Sequence, residues 1–201
     1  KIMTTKSLLH SSLLDNQYYT SMLVGNDAFL PPAEDILAEE ILGSSQASVT
    51  FSSLDTLAAG YQHLQLRYVI RTNRAGSNND VIRVELNGDS SSSYRWHQLA
   101  GNGSSASSSA SGADTAMWAS YVSTQDHATG VFGAGVIDLL DPFETNKNTT
   151  IRTLGGTTGA ITQINLTSGA WFNTAAVTTI KLFQYGSTMD TGSRLTLIGL
   201  K

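Results

Sequence analysis

Apolar and polar positions alternate with a period of two between His63 and Asp89. Leu64, Leu66, Tyr68 and Ile70 share one face, with His63, Gln65, Arg67 and Arg71 on the other. After an Asn-, Gly- and Ser-rich gap at residues 73–80 the pattern resumes, with Ile82, Val84 and Leu86 set against Arg83, Glu85 and Asn87. One apolar face at period two is the signature of a strand half buried in a sheet. The two runs predict an antiparallel hairpin with a long loop. Further strands are predicted at Val49–Ser53, Ser93–Leu99, Trp118–Val122, Val131–Leu140, Thr150–Leu154, Ile161–Leu166, Val177–Phe183 and Arg194–Leu200. Val131–Leu140 is apolar on both faces and reads as a central strand. Turn signals punctuate the set at Asn87-Gly88-Asp89, Gly101-Asn102-Gly103, Gly155-Gly156, Ser168-Gly169 and Gly192-Ser193. Many short strands with regular turns predict an all-β, antiparallel two-sheet sandwich of jelly-roll type.

Residues 1–43 follow a different pattern. Leu8, Leu9, Leu13, Leu14, Tyr18 and Tyr19 supply apolar side chains without a clean period, which permits a short amphipathic helix or an arm docked on a neighbour, and the segment is expected to be an extended attachment arm. Pro31-Pro32 enforces extended backbone and marks a boundary. Ile36–Leu42 is expected to be a strand, and the division predicted is an arm at 1–43 and a β domain at 44–201. Residues 101–112 (GNGSSASSSASG) are low in complexity and read as a flexible crossover loop.

Composition narrows the function. At 201 residues the chain can bury one good core. Charged residues are only 14% of the chain, where an ordinary soluble domain has roughly a quarter. The net charge of −4 offers no electrostatic attraction to nucleic acid or to anionic lipid, so neither is an expected partner. With no cysteine, disulfides and thiolate metal sites are excluded. The first residues lack a continuous apolar run, so no leader peptide is expected, and no window suits a membrane-spanning helix.

Candidate chemistry is sparse. His10, His63, His97 and His127 lie far apart, and none pairs at ligand spacing, so no metal or other cofactor is expected. Asn87-Gly88-Asp89 has the composition of a calcium-loop fragment and equally of an ordinary turn. No Gly-x-Ser-x-Gly elbow is present, Gly155-Gly156 lacks the lysine of a phosphate loop, and neither Glu39-Glu40 nor Asp138/Asp141 makes a convincing pair of inward acids. No catalytic residues are assigned, and the chain is not expected to be an enzyme. Large rings at Tyr94, Trp96, Trp118, Tyr121, Trp171 and Phe172 fill a core or stack on a ligand such as a sugar. Tyr94, Trp96 and His97 are the candidate binding residues, because alternation there can leave an aromatic side chain on each face.

Several blocks in order carry a resemblance. They are VTFSSL (Val49–Leu54), YQHLQLRYVIRT (Tyr61–Thr72), ELNGD (Glu85–Asp89), GNGSSA, GVFGAGVIDLLD (Gly130–Asp141), NKNTTIRTLGG, SGAWFNTAAVTTIKL (Ser168–Leu182) and GSRLTLIGLK. This series, from about Gly43 to Lys201, resembles small β-sandwich structural proteins of tailed bacteriophages, of the tail-fibre and head-decoration type. The resemblance implies a non-enzymatic protein on the exterior of the capsid or tail, assembled in the host cytoplasm. Its implied role is capsid cement or decoration, attached through the arm to the major capsid protein or to tail proteins. The alternative is the glycan-contacting, receptor-binding tip of a short tail fibre. A homo-oligomer is expected from the surplus apolar faces of Val131–Leu140 and of the last strand. A trimer is what the phage resemblance implies.

Overall fold

The computed structural model describes residues 33–159 and 162–201, and the expected arm residues Leu8, Leu9, Leu13, Leu14, Tyr18 and Tyr19 lie outside them. The described chain is almost entirely β. Its strands are β1 (Glu34–Ile41), β2 (Ser48–Phe51), β3 (His63–Thr72), β4 (Asp80–Leu86), β5 (Tyr94–Gly101) and β6 (Ala106–Asp114). They continue with β7 (Met117–Thr124), β8 (Gly133–Leu140), β9 (Thr149–Thr157), β10 (Gln163–Trp171), β11 (Ile180–Phe183) and β12 (Arg194–Leu200). A single helical turn, α1 (Leu54–Leu57), follows β2.

Hydrogen bonding divides the strands into two sets. The larger runs β1-β12-β3-β8-β9-β10-β5-β6, and the smaller β2-β11-β4-β7. They join where β7 runs parallel to the end of β3, at Arg71↔Ser123 and Thr72↔Thr124. The registered strand pairs are otherwise antiparallel. The sheet is mixed and open rather than a closed barrel, and compatible with sandwich layering.

The alternation in β3 and β4 identifies the buried face correctly. Leu64, Leu66, Ile70, Ile82, Val84 and Leu86 are all fully buried. Arg67 is exposed, while Glu85 on the far face of β4 is nearly buried and held by Lys181 Nζ at 3.3 Å. The predicted hairpin does not form. β3 lies between β8 and β12, and β4 between β7 and β11. The connection at residues 73–79 carries the chain from one set of strands to the other. Periodicity records which side of a strand is buried and says nothing about which strand lies beside it.

β8 is central, as its two apolar faces predict, flanked by β3 and β9. Gly155-Gly156 and Gly169 are not turns but lie inside β9 and β10. β7 crosses these strands closely. A Cβ on Gly133 would lie 2.7 Å from Val122 Cα, on Gly155 2.6 Å from Ser120 Oγ, and on Gly169 2.9 Å from Met117 Sδ. Glycine is the residue that admits such an approach. Beneath β7 the interior is polar: the Ala119 carbonyl accepts from the Thr153 hydroxyl and from Thr167 Oγ1 at 3.2 Å. The Ser123 and Thr157 hydroxyls share a hydrogen bond.

The boundary expected at residue 43 falls inside the sheet. β1 pairs with β12, and Leu42 is buried in the core with Leu37 and Ala38 packed against it.

Candidate assembly surface

Tyr94, Trp96 and His97 do not form an exposed aromatic cluster. Tyr94 is fully buried, and its hydroxyl accepts the Leu86 N–H at 2.8 Å. Burial holds the phenol above its usual pKa, so it stays neutral. The exposure expected of Tyr94 is therefore wrong: alternation turns it inward, where its ring fills the core. Trp96 is half-buried, stacks on Trp118 with ring centroids 5.8 Å apart, and donates its indole N–H to Asp114 at 3.0 Å. His97 is exposed and points to the opposite face. Of the other large rings Trp118 and Trp171 are buried, and Phe172 is exposed under the Arg95 guanidinium, 4.0 Å from the ring centroid.

What the outer face of the larger set presents instead is aliphatic. Register places Leu99, Leu166, Leu154 and Val136 side by side on β5, β10, β9 and β8. The adjoining row contains Gly101, Ile164, Gly156, Ala134 and Val69. Leu99, Leu166 and Ile164 are 56%, 52% and 59% exposed, and Leu154 and Val69 are also exposed. Much of this face lines an open groove of about 970 Å³ that includes Arg67, Gly101, Val136, Leu154, Gly156 and Ile164.

The row on the other flank is polar, with His97, Ser168, Arg152, Asp138 and Gln65 in register. Asp138 accepts from Gln65 Nε2 at 2.8 Å and lies 3.8 Å from Arg152. An apolar band with a polar border is the composition of a protein contact surface.

The band arises because β10 is inverted relative to an ordinary half-buried strand. Ile164 and Leu166 face outward, while Asn165 and Thr167 are fully buried beneath β7. The sequence signal is the alternation Ile164-Asn165-Leu166-Thr167 itself. Its direction follows the small polar seam under β7, where the Ala119 carbonyl accepts the Thr167 hydroxyl. β12 contributes less surplus than expected, since Ile198 is only 3% exposed.

The suspected calcium-loop fragment is occupied by the protein's own donors. Asn87 and Gly88 both have positive φ and form a turn closed by Asp89 N–H to Leu86 O at 2.9 Å. This φ pair is that of a type I′ turn. Asp89 accepts from Ser91 N–H (2.9 Å), the Ser91 and Ser93 hydroxyls (2.5 and 2.7 Å) and the Trp171 indole at 2.7 Å. Burial opposes its charge, but these donors outweigh burial and hold the carboxyl far below its usual range. Among the described residues no three His, Asp or Glu side chains converge as metal ligands.

No family model matches the chain, and no curated protein matches it.

Proposed function

We propose that this chain is a structural protein of a tailed-bacteriophage particle. It would lie on the particle exterior and be attached to its neighbours through apolar contact. The block resemblance supplies the class of particle. The observation that carries the assembly role is the exposed band Leu99–Leu166–Leu154–Val136, in a chain whose sparse charges offer only modest electrostatic attachment. Of the side chains singled out for chemistry, Tyr94 is a core residue, Asp89 is fully hydrogen-bonded, and Asp141 is engaged by Lys147 and by Gln62 at 3.1 Å. Cement or decoration on the capsid is the favoured role, because the band is broad and aliphatic. A glycan-contacting tip would instead offer exposed rings, and Phe172 is the one exposed residue among the six rings considered.

The test is to raise antibodies against the purified protein and label particles produced from the genome that encodes it. Regular labelling of the capsid surface is expected. Labelling confined to the fibre tips would favour the receptor-binding role, and particles that carry none of the protein would end the proposal.

A further inference from the structure

We infer that β6 is a self-pairing edge, through which two copies of this chain join their sheets about a two-fold axis at Ser108. The inference stands on the edge strand itself and does not rest on the virion reading. β6 ends the strand order, pairs only with β5 among the described residues, and is exposed along nearly its whole length. A free edge presents a row of unpaired N–H and C=O groups, which proteins ordinarily guard with lysine, proline or a bulge. Residues 98–113 hold no charged residue and no proline. The register with β5 runs without a break from Ala106↔Gly101 to Ser111↔Trp96, and the irregularity falls only near Tyr94. The edge is therefore straight and unguarded where it is most exposed.

Its sequence fits a second copy of itself. Ser105-Ala106-Ser107-Ser108-Ser109-Ala110-Ser111 reads the same in both directions about Ser108. Antiparallel pairing centred there sets Ala106 opposite Ala110, Ser107 opposite Ser109, and Ser108 opposite itself. No bulky or like-charged side chains meet, and Ser–Ser pairs can hydrogen-bond across strands. An isologous contact of this kind closes on itself as a dimer.

The pairing also has a consequence for the outer face. Ser108 is in register with Leu99, and hence with Leu166, Leu154 and Val136. A two-fold at Ser108 brings the apolar rows of both copies into one line. The edge thus doubles the band, and it builds a dimer where the resemblance implies a trimer.

The chain has no cysteine, so single cysteines report the geometry cleanly. Directly opposed residues have Cα atoms about 4.5–5.5 Å apart, within reach of a disulfide. Ser108→Cys should therefore cross-link rapidly on mild oxidation. Ala110→Cys alone should not, because its two copies would be roughly 13 Å apart along the strands. An equimolar mixture of Ala106→Cys and Ala110→Cys should give the mixed dimer. Sedimentation of the full wild-type chain should show a dimer. Ser108→Lys, which sets like charges opposite one another, should weaken it several-fold, with thermal unfolding unchanged at concentrations where both proteins are monomeric. If Ser108→Lys proves unfolded, the cysteine pattern decides. A monomer or trimer at high concentration, or equal trapping of Ser108→Cys and Ala110→Cys, overturns the inference. So does a dimer indifferent to Ser108→Lys in a folded protein.

Discussion

Asp89 ties three parts of the chain together through one carboxylate: the turn after β4, the entry to β5 at Ser93, and the end of β10 at Trp171. Its folded pKa is depressed below that of the unfolded chain. Its contribution is therefore complete at pH values above the ordinary carboxylate range of about 4 and is lost as pH falls through and below that range. Urea midpoints measured at pH 6 and pH 3 should show a marked acid loss, and Asp89→Asn should flatten it. Equal pH slopes in the two proteins would mean that Asp89 is not the acid-sensitive tie. Trp171→Phe keeps most of the ring but removes the indole donor, and should cost about 1.5–3 kcal/mol, typical of a hydrogen bond to a charged group. Leu66 is a simpler case. It is fully buried, so Leu66→Ala should cost ~2–5 kcal/mol in the same measurement.

Among the elements, the crossing of β7 over β8–β10 shows where sequence reading succeeds and fails. Strand positions were legible wherever large apolar residues alternate, and Arg194–Leu200 is observed with the predicted ends. Glycine and serine misled. Gly155 and Gly169 read as turns and are strand residues: a Cβ on Gly155 would meet the Tyr68 and Ser120 hydroxyls, and one on Gly169 the Arg95 carbonyl of β5. The serine-rich run read as a loop because serine and glycine have little strand preference. Its register against β5 makes most of it a strand all the same. The β3–β4 hairpin was misread because alternation carries no record of partners.

The crossing itself is testable. The Tyr68 ring lies against Gly155, where a Cβ would come 2.5 Å from its hydroxyl oxygen and 2.6 Å from Ser120 Oγ. Gly155→Ala should lower the melting temperature by several degrees, as expected of overpacking that costs about 1–3 kcal/mol. The Tyr68 hydroxyl is buried beside Ser120, and burial raises its pKa. Tyr68→Phe removes the oxygen that an added methyl at Gly155 would meet first, and should recover part of the Gly155→Ala loss in the double variant. Strict additivity of the two changes would show that the ring and the glycine do not meet.

For the whole molecule, the question is what the outer band does. The candidate site was not legible, because Ile164 and Leu166 carry the pattern of buried residues and only the polar seam beneath β7 turns them outward. That inversion separates fold stability from surface function. If the band is a contact surface, Leu154→Ser with Leu166→Ser should leave thermal unfolding nearly unchanged, since exposed substitutions away from special features usually cost within about 0.5 kcal/mol. The same variant should bind an apolar dye more weakly and be incorporated poorly into particles, because aliphatic contact is what it removes. Arg152→Ser on the polar border should change incorporation far less, because its ion pair with Asp138 is solvent-exposed and such pairs contribute little. A doubly substituted protein that melts many degrees lower would place the leucines in the fold rather than in an interface. One that assembles as well as wild type would leave the band without a partner. Only the combination of unchanged stability and lost incorporation assigns the band to assembly.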